Sequence, residues 1–383
     1  MNVTDTPFLE VARALARDFA ARADEADRQG RLPAEDVAAL RQSGYLTLSI
    51  PRAYGGQGLS LADCLAAQLE LAQGSPSSAL VAGMQLHIFG HEREVRAWDE
   101  AIFAQFCQEA VSAGALFNSV ASEPALGSPS RGGAFQTRAD LTPDGANWIV
   151  NGHKTWTTGG RHLTHMLVRL SVQGGNGVML IPQGLPGIEW QETWSESLSL
   201  RASDSHDVYF HDVLLPYENL IQQGERSQPN VWFPMVMSAI YLGAALAARR
   251  AVIQFALERT PTALGQPIAT LPKIQRQIGD MDLGLQAARA LLFEVAREWR
   301  GRDEDRAAMM PRLAAAKLMV NEMANKATEK ALQIAGGASI TRALPLERYF
   351  RDVRAGSMQP PAGDTALEMI GRAAIEGEKM VHG

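Results

Sequence analysis

Eighteen consecutive residues without a charge, Val231 to Ala248 (VWFPMVMSAIYLGAALAA), constrain this chain more than any other stretch. As a helix rising about 1.5 Å per residue, the segment reaches roughly 27 Å, near the lower limit for crossing a bilayer. It is either a membrane span, with Arg249 and Arg250 as its flank, or a helix surrounded by other elements. No other charge-free stretch of this length is as apolar, and its Ser238, Gly243, Ala244, Ala245 and Ala247 suit close packing of helix on helix. A buried core helix in a bundle is therefore expected. With 383 residues the chain exceeds what one core usually holds, so two or three domains or layers should share the work.

Hydrophobic spacing divides the chain in three. Residues 1–112 read as helical: Phe8, Val11, Ala12, Leu15, Ala16 and Phe19 recur at three and four, and a second amphipathic run spans Pro33 to Ser43. A Pro- and Gly-rich break from Ser49 to Ser60 follows, with Ser60 placed as the N-cap of the next helix, to about Gln73; another is expected around Ser77 to His91. Residues 113–222 carry short extended candidates, Ala134–Ala139, Trp148–Val150, His165–Leu170, Val178–Ile181 and Asp207–Phe210, which suit a small barrel or sandwich. Residues 223–383 return to helices over Val231–Thr260, Lys273–Arg300, Arg306–Ala335 and Thr365–Lys379, the pattern of an antiparallel four-helix bundle.

Composition removes several function classes. With 36 basic against 42 acidic residues and a net charge of −6, no overall positive field exists to grip a nucleic acid. Cys64 and Cys107 stand far apart, outside any zinc or disulfide spacing, and read as small core residues of a cytoplasmic protein. The N-terminal segment mixes charged and apolar residues with no apolar core of an export signal. His87 and His91 have metal-ligand spacing, but no third ligand lies nearby, so no metal is expected. A satisfied imidazole or one facing a substrate are the readings left for His87.

The richest chemistry lies between Phe117 and Gly160. Ser122-Glu123-Pro124 opens a turn, Pro143-Asp144-Gly145 a second, and Asn151-Gly152 reads as the turn of a hairpin that delivers Lys154, Trp156, Thr157 and Thr158. Hydroxyls, backbone amides and an indole together suit a planar ring with hydrogen-bonding edges. The segments SEPALGS and NGHKTWTTGG resemble the flavin-contacting turn and following strand of the acyl-CoA dehydrogenase family. The turn PRAYGGQGLS, the segment LSLRASDSHDVYFHDVLLP and the run from Ala331 to Ser339 resemble further parts of that family, so the likeness spans nearly the whole chain.

The resemblance implies a mainly α fold with a central β domain: an N-terminal helical domain, a β-barrel or sandwich, and a C-terminal four-helix bundle. It implies FAD as cofactor, with Ser122, Ser128, Trp156 and Thr158 at the flavin ring. Arg259, Gln333, Gly336 and Gly337 match positions that reach the adenosine diphosphate part of a neighbouring subunit's FAD, which implies a homodimer or homotetramer. Acyl-CoA or another acyl thioester is the implied substrate, an electron-acceptor protein the implied partner, and His87 could lie near the reacting end. Two departures touch the adenine side: the spacing from Arg259 to Gly265 is longer than the family's, and Pro272 stands where a glutamine is usual. Arg201 reads as a strand-tying arginine or a ligand contact.

The larger departure concerns the base. Oxidising a thioester needs a carboxylate within about 2.6–3.2 Å of the α-proton. Most of the family has Glu-Gly-Thr roughly eight residues after the Arg-Asp pair, and a minority has its base at the start of the bundle's first helix. This chain has Gln359-Pro360-Pro361 in the first place and Trp232-Phe233-Pro234 in the second. Asp364 arrives late, and its position before Thr365 reads as a helix N-cap ahead of a catalytic base, with Glu368 a turn onward. Acyl thioester oxidation is the leading activity. A reduced-flavin-dependent monooxygenase of the same fold, which needs no glutamate, and a non-catalytic flavin- or acyl-CoA-binding protein are the alternatives.

Overall fold

The computed structural model describes residues 6–126, 134–224 and 228–382. Five helices come first: α1 (Pro7–Gln29), α2 (Ala34–Gln42), α3 (Leu61–Ala72), α4 (Pro76–Val95) and α5 (Glu100–Ser112). Ser60 caps α3 as expected, its hydroxyl accepting from the Asp63 amide at 3.2 Å. After the strands come α6 (Trp232–Glu258), α7 (Pro272–Glu298), α8 (Asp303–Ala335), the short α9 (Leu346–Asp352) and α10 (Gly363–His382). Pro272 is the first residue of α7, where its missing N–H costs nothing.

The charge-free stretch forms most of α6, and 72% of its most apolar 18-residue window is buried inside the protein. Helices α3, α4, α7 and α8 surround it. Its small residues permit that approach: a Cβ on Gly243 would stand 2.7 Å from the Ala72 Cβ and the Leu69 carbonyl of α3. On α4, Gly83 faces Val236 and Met237 of α6 in the same way. One continuous apolar core results, running from α1 through the strands into the bundle.

Among the described residues, eight strands between the helical parts belong to one hydrogen-bonded sheet. They are β1 (Phe117–Val120), β2 (Arg138–Leu141), β3 (Asn147–Thr157), β4 (His165–Val172), β5 (Gly175–Pro182), β6 (Ile188–Gln191), β7 (His206–Pro216) and β8 (Leu220–Gln223). Their order is β6-β7-β3-β2-β4-β5-β8, with β1 added in parallel beside β4.

The expected hairpin at Asn151-Gly152 is not formed. Strand β3 continues through both residues, with a bulge against β7 between Val150 and Gly152. Asn151 is engaged across that bulge: its amide donates to Asp212 Oδ1 at 2.8 Å, and its Oδ1 accepts from the Asp212 N–H at 2.9 Å. Gly152, at φ 154°, lies so close to Thr137 that a Cβ would stand 2.5 Å away. The chain reverses earlier, at Thr142–Ala146, where the Gly145 N–H reaches the Thr142 carbonyl at 2.8 Å and Asp144 caps the turn. The strand expected from Ala134 begins at Arg138, because the Gln136 and Thr137 amides turn to the Glu123 carboxylate at 2.7 and 2.9 Å.

Candidate functional site

Glu123 is the residue on which the Ser122–Pro124 turn is built. Besides the two amides, its Oε1 accepts from the Lys154 ammonium at 2.7 Å, with both side chains almost fully buried. Burial alone would push the Glu123 carboxyl up, but the hydrogen bonds from Lys154, Thr137 and Gln136 outweigh it and hold it below the usual range. For Lys154 burial dominates and pushes the ammonium down to about 8, against the pull of Glu123. The pair ties the turn to β3, and the Ser122 carbonyl then accepts from the Thr155 amide at 3.0 Å.

Directly beyond Lys154 the register of β3 against β7 slips again. At this bulge Trp156 takes a φ of 58°, a left-handed conformation unfavourable for a bulky residue, and its indole is 60% exposed. Thr158, two residues on, is buried, and its hydroxyl pairs with Ser205 at 2.9 Å, which pairs with Ser203 at 2.7 Å. Asn118 of β1 donates to the Thr158 carbonyl at 2.8 Å. Ser122, Trp156 and Thr158 thus lie around one strand end. Ser128 lies outside the described residues.

This group sits where the three parts of the chain meet. A Cβ on Gly159 would approach Leu163 and, at 3.7 Å, Val81 of α4. Six residues further along α4, about 9 Å at ~1.5 Å per residue, His87 is buried edge-on against Phe233 of α6, ring centroids 5.0 Å apart. Its Nδ1 lies 3.4 Å from the Asn230 amide. On the other side the Ser199–Ser203 turn is fastened to α9: the Leu200 N–H donates to Asp352 Oδ1 and the Ser199 hydroxyl to the Asp352 carbonyl, both at 2.8 Å. Asp352 is buried, and burial pushes its carboxyl up to about 6 despite Arg348 and the Leu200 amide. Arg201 donates to the Ser197 carbonyl at 2.6 Å, so its visible part is to stiffen this same turn.

The remaining expected contacts are not brought to this place. Arg259 is exposed at the far end of α6, about 40 Å along the helix from Trp232 at ~1.5 Å per residue. Gln333, Gly336 and Gly337 are exposed at the end of α8, about 24 Å beyond Lys317 by the same measure. Gly336 caps α8 with a φ of 58°, its N–H reaching the Leu332 carbonyl. Within one chain these four residues and the Trp156 group cannot serve one end of a ligand.

Asp364 is not the N-cap it was expected to be. Helix α10 begins at Gly363, and the Ala366 N–H already reaches the Ala362 carbonyl at 2.8 Å. The cap position is therefore Ala362, and Asp364 is an exposed first-turn residue, with Glu368 exposed one turn on. The displacement follows from the preceding turn, which Lys317 pins. That buried lysine of α8 donates to the Gln359 carbonyl at 2.9 Å and the Pro361 carbonyl at 2.8 Å, so the chain enters the helix two residues earlier than Asp364 could cap.

Around Lys317 is a polar junction that sequence reasoning missed. Asn321, one turn on, donates to the Gly356 carbonyl at 2.8 Å, while its Oδ1 is buried without a partner. The Tyr241 hydroxyl of α6 lies against the Gln359 side chain without a well-formed hydrogen bond. A signal was present: Lys317 is a lone charge within Leu313-Ala314-Ala315-Ala316-Lys317-Leu318-Met319-Val320. At the start of α6, Glu94 of α4 is held by the indole N–H groups of Trp232 at 2.8 Å and Trp299 at 3.1 Å and by Arg306 at 3.1 Å. Burial pushes its carboxyl up, those donors opposing. Among the described residues, no three His, Cys, Asp or Glu side chains converge as a metal site requires.

Residues 5–98, 119–213 and 235–359 match the sequence patterns described as acyl-CoA dehydrogenase N-terminal, middle and C-terminal domains. YdbM of Bacillus subtilis (strain 168), an acyl-CoA dehydrogenase by name, is 39% identical over 98% of each chain. Among solved structures, FMN-bound TdsC from Paenibacillus sp. A11-2 superposes with a TM-score of 0.87 at 24% identity, over 97% of this chain and 98% of that one. Butyryl-CoA dehydrogenase from Megasphaera elsdenii gives 0.85 at 22%, over 98% and 99%. At these identities the structural likeness is one of fold.

Proposed function

Since the chain belongs to the acyl-CoA dehydrogenase family, we propose that it is an FAD-dependent oxidoreductase acting on an acyl thioester. The observation that carries the flavin part is the second bulge of β3, which holds an exposed indole in a strained conformation beside a buried hydroxyl. The site also fits a planar hydrogen-bonding ring by its leftover groups: Thr157 Oγ1 and Asn118 Oδ1 are buried there with no protein partner. Trp156 would cover the ring, Thr158 and Ser122 would offer hydroxyls to its edge, and Lys154 with Glu123 would keep the turn in place. A bound flavin supplies a two-electron acceptor, which side chains cannot provide. Helix α4 with His87, and the start of α6 with Phe233, would line the thioester's side of the pocket and exclude water.

A second reading, a monooxygenase using reduced flavin, is favoured by one specific observation. Neither the Gln359–Pro361 turn nor the start of α6 offers a carboxylate, and Glu94 is tied up by three donors. A mechanism that abstracts an α-proton has no base in those two places. The absorption spectrum of the purified protein, followed by anaerobic titration with acyl-CoAs, separates the readings. Bleaching of the flavin band supports the dehydrogenase. No bleaching, with substrate-dependent oxygen uptake when reduced flavin is supplied, supports the monooxygenase. Protein that stays colourless and shows no thermal shift with FAD or FMN overturns both.

A further inference from the structure

Three buried hydroxyls stand in a row at the end of β3. Thr158 Oγ1 lies 2.9 Å from Ser205 Oγ, which lies 2.7 Å from Ser203 Oγ. The backbone makes the row. Asp204, between the two serines, takes a left-handed φ of 45° and is fastened by its Oδ1 accepting the Leu32 N–H at 2.8 Å, while the Ser203 carbonyl accepts the Gly159 N–H at 3.0 Å. Exposure falls from 5% at Thr158 to 0% at Ser203, so the Ser203 end is closed to water. Each hydroxyl has one proton to give. Among the described residues the Ser203 hydroxyl has no partner but Ser205, and a buried O–H without an acceptor is costly, so its proton goes to Ser205. Ser205, accepting there, donates to Thr158, and the Thr158 proton is the one left over. Beside it Asn118 donates to the Thr158 carbonyl at 2.8 Å with its own Oδ1 unpartnered, so the unmet polar atoms collect at this end of the row.

We propose that Ser205 is a positioning residue that, with Ser203 behind it, fixes the Thr158 hydroxyl as a hydrogen-bond donor toward the bound ring and so biases the site toward the oxidised flavin over the reduced one. The inference rests on the reading above, in which Thr158 offers its hydroxyl to the ring's edge. Apart from one N–H, the polar edge of an oxidised flavin consists of acceptors: carbonyl oxygens and bare ring nitrogens. Two-electron reduction with uptake of a proton at such a nitrogen turns an acceptor into a donor. A freely rotating hydroxyl would follow that change by accepting where it had donated. Thr158 is not free to do so, because reversing it reverses the whole row and leaves the Ser203 proton buried with no acceptor.

The test measures the dissociation constants of FAD and, under anaerobic conditions, of dithionite-reduced FAD by titrating the flavin-free protein and following its own fluorescence. The ratio of the two constants is the readout. Ser205→Ala releases Thr158 and should shift the ratio about tenfold toward the reduced form, equivalent to about 30 mV in the two-electron potential of the bound flavin. Ser203→Ala leaves Ser205 with Thr158 as its acceptor, so the ratio should stay within about twofold of wild type. In a Thr158→Val background, Ser205→Ala should shift the ratio no further. Should Ser205→Ala not fold, Ser205→Cys replaces the hydroxyl by a weak donor and should shift the ratio in the same direction. An unchanged ratio in the folded Ser205 variant overturns the inference while leaving the flavin reading standing. An equal shift in Ser203→Ala, or one that persists with Thr158→Val, overturns it too, since either would mean that Ser205 acts other than through the Thr158 proton. Failure of the wild type to bind either form of FAD removes that reading, and this inference with it.

Discussion

Asp364 shows how far a local residue pattern can be trusted. Asp before Thr-Ala-Leu-Glu is a good N-cap sequence, yet the cap is decided by where the preceding chain is held, and Lys317 holds it so that α10 starts at Gly363. As an exposed first-turn carboxylate, Asp364 contributes only a favourable interaction with the helix dipole. We expect Asp364→Asn to change stability by no more than about 0.5 kcal/mol and to leave flavin reduction by acyl-CoA within a few-fold; a hundredfold drop in stopped flow at unchanged melting temperature would make it the base after all. Glu123 is the opposite case. Glu123→Gln leaves the Lys154 ammonium buried without its counter-charge, which typically costs about 3–5 kcal/mol. Chemical denaturation should read that loss, and flavin affinity should fall with it, because the same carboxylate shapes the Ser122 turn.

At the scale of elements, the site depends on short connections that fasten the β domain to the bundle. The fastening of the Ser199–Ser203 turn to α9 runs through Asp352, whose folded carboxyl is pushed up to about 6 by burial. A carboxyl raised in the folded state contributes stability that is fully present below its ordinary value of 3.8 and is lost as the pH rises through about 6. Asp352→Asn keeps an acceptor for the Leu200 amide but cannot ionise. It should therefore flatten the stability profile across that window, measured as the variant's difference from wild type in urea midpoints. At the neighbouring junction Gly356 has no room for a side chain: a Cβ would stand 2.6 Å from Asn321 Oδ1 and 2.8 Å from the Tyr241 ring. Gly356→Ala should cost roughly 1–3 kcal/mol, seen as a lower melting temperature.

For the whole molecule, the distribution of the expected cofactor contacts matters most. Trp156 and Thr158 lie at the junction of the three parts, while Arg259, Gln333, Gly336 and Gly337 lie exposed at the far helix ends. If both groups serve FAD, they must come from different copies of the chain, and closed symmetry makes a dimer or tetramer the expected assembly. Light scattering should then give a multiple of 41.5 kDa. A monomer with flavin bound would remove the idea. Arg259→Ala should weaken FAD retention without lowering the melting temperature of the flavin-free protein.

The primary structure by itself determined the layout: a charge-free helix that had to be surrounded, and helices on either side of a β-rich middle. Those features are local, because hydrophobic period, turn chemistry and motif spacing are written in neighbouring residues. The tertiary structure decided the rest. Asn151-Gly152 is a strong hairpin signal, but β7 was available to engage Asn151 through Asp212, so the strand bulged and ran on. Asp364 lost its cap to a lysine 47 positions earlier, and Lys317 gained its role only when the bundle folded the Gln359–Pro361 carbonyls onto it. In each case a partner distant in sequence satisfied a polar group that the local pattern had assigned elsewhere, and a buried polar group goes to whichever partner the packed chain brings within hydrogen-bond reach.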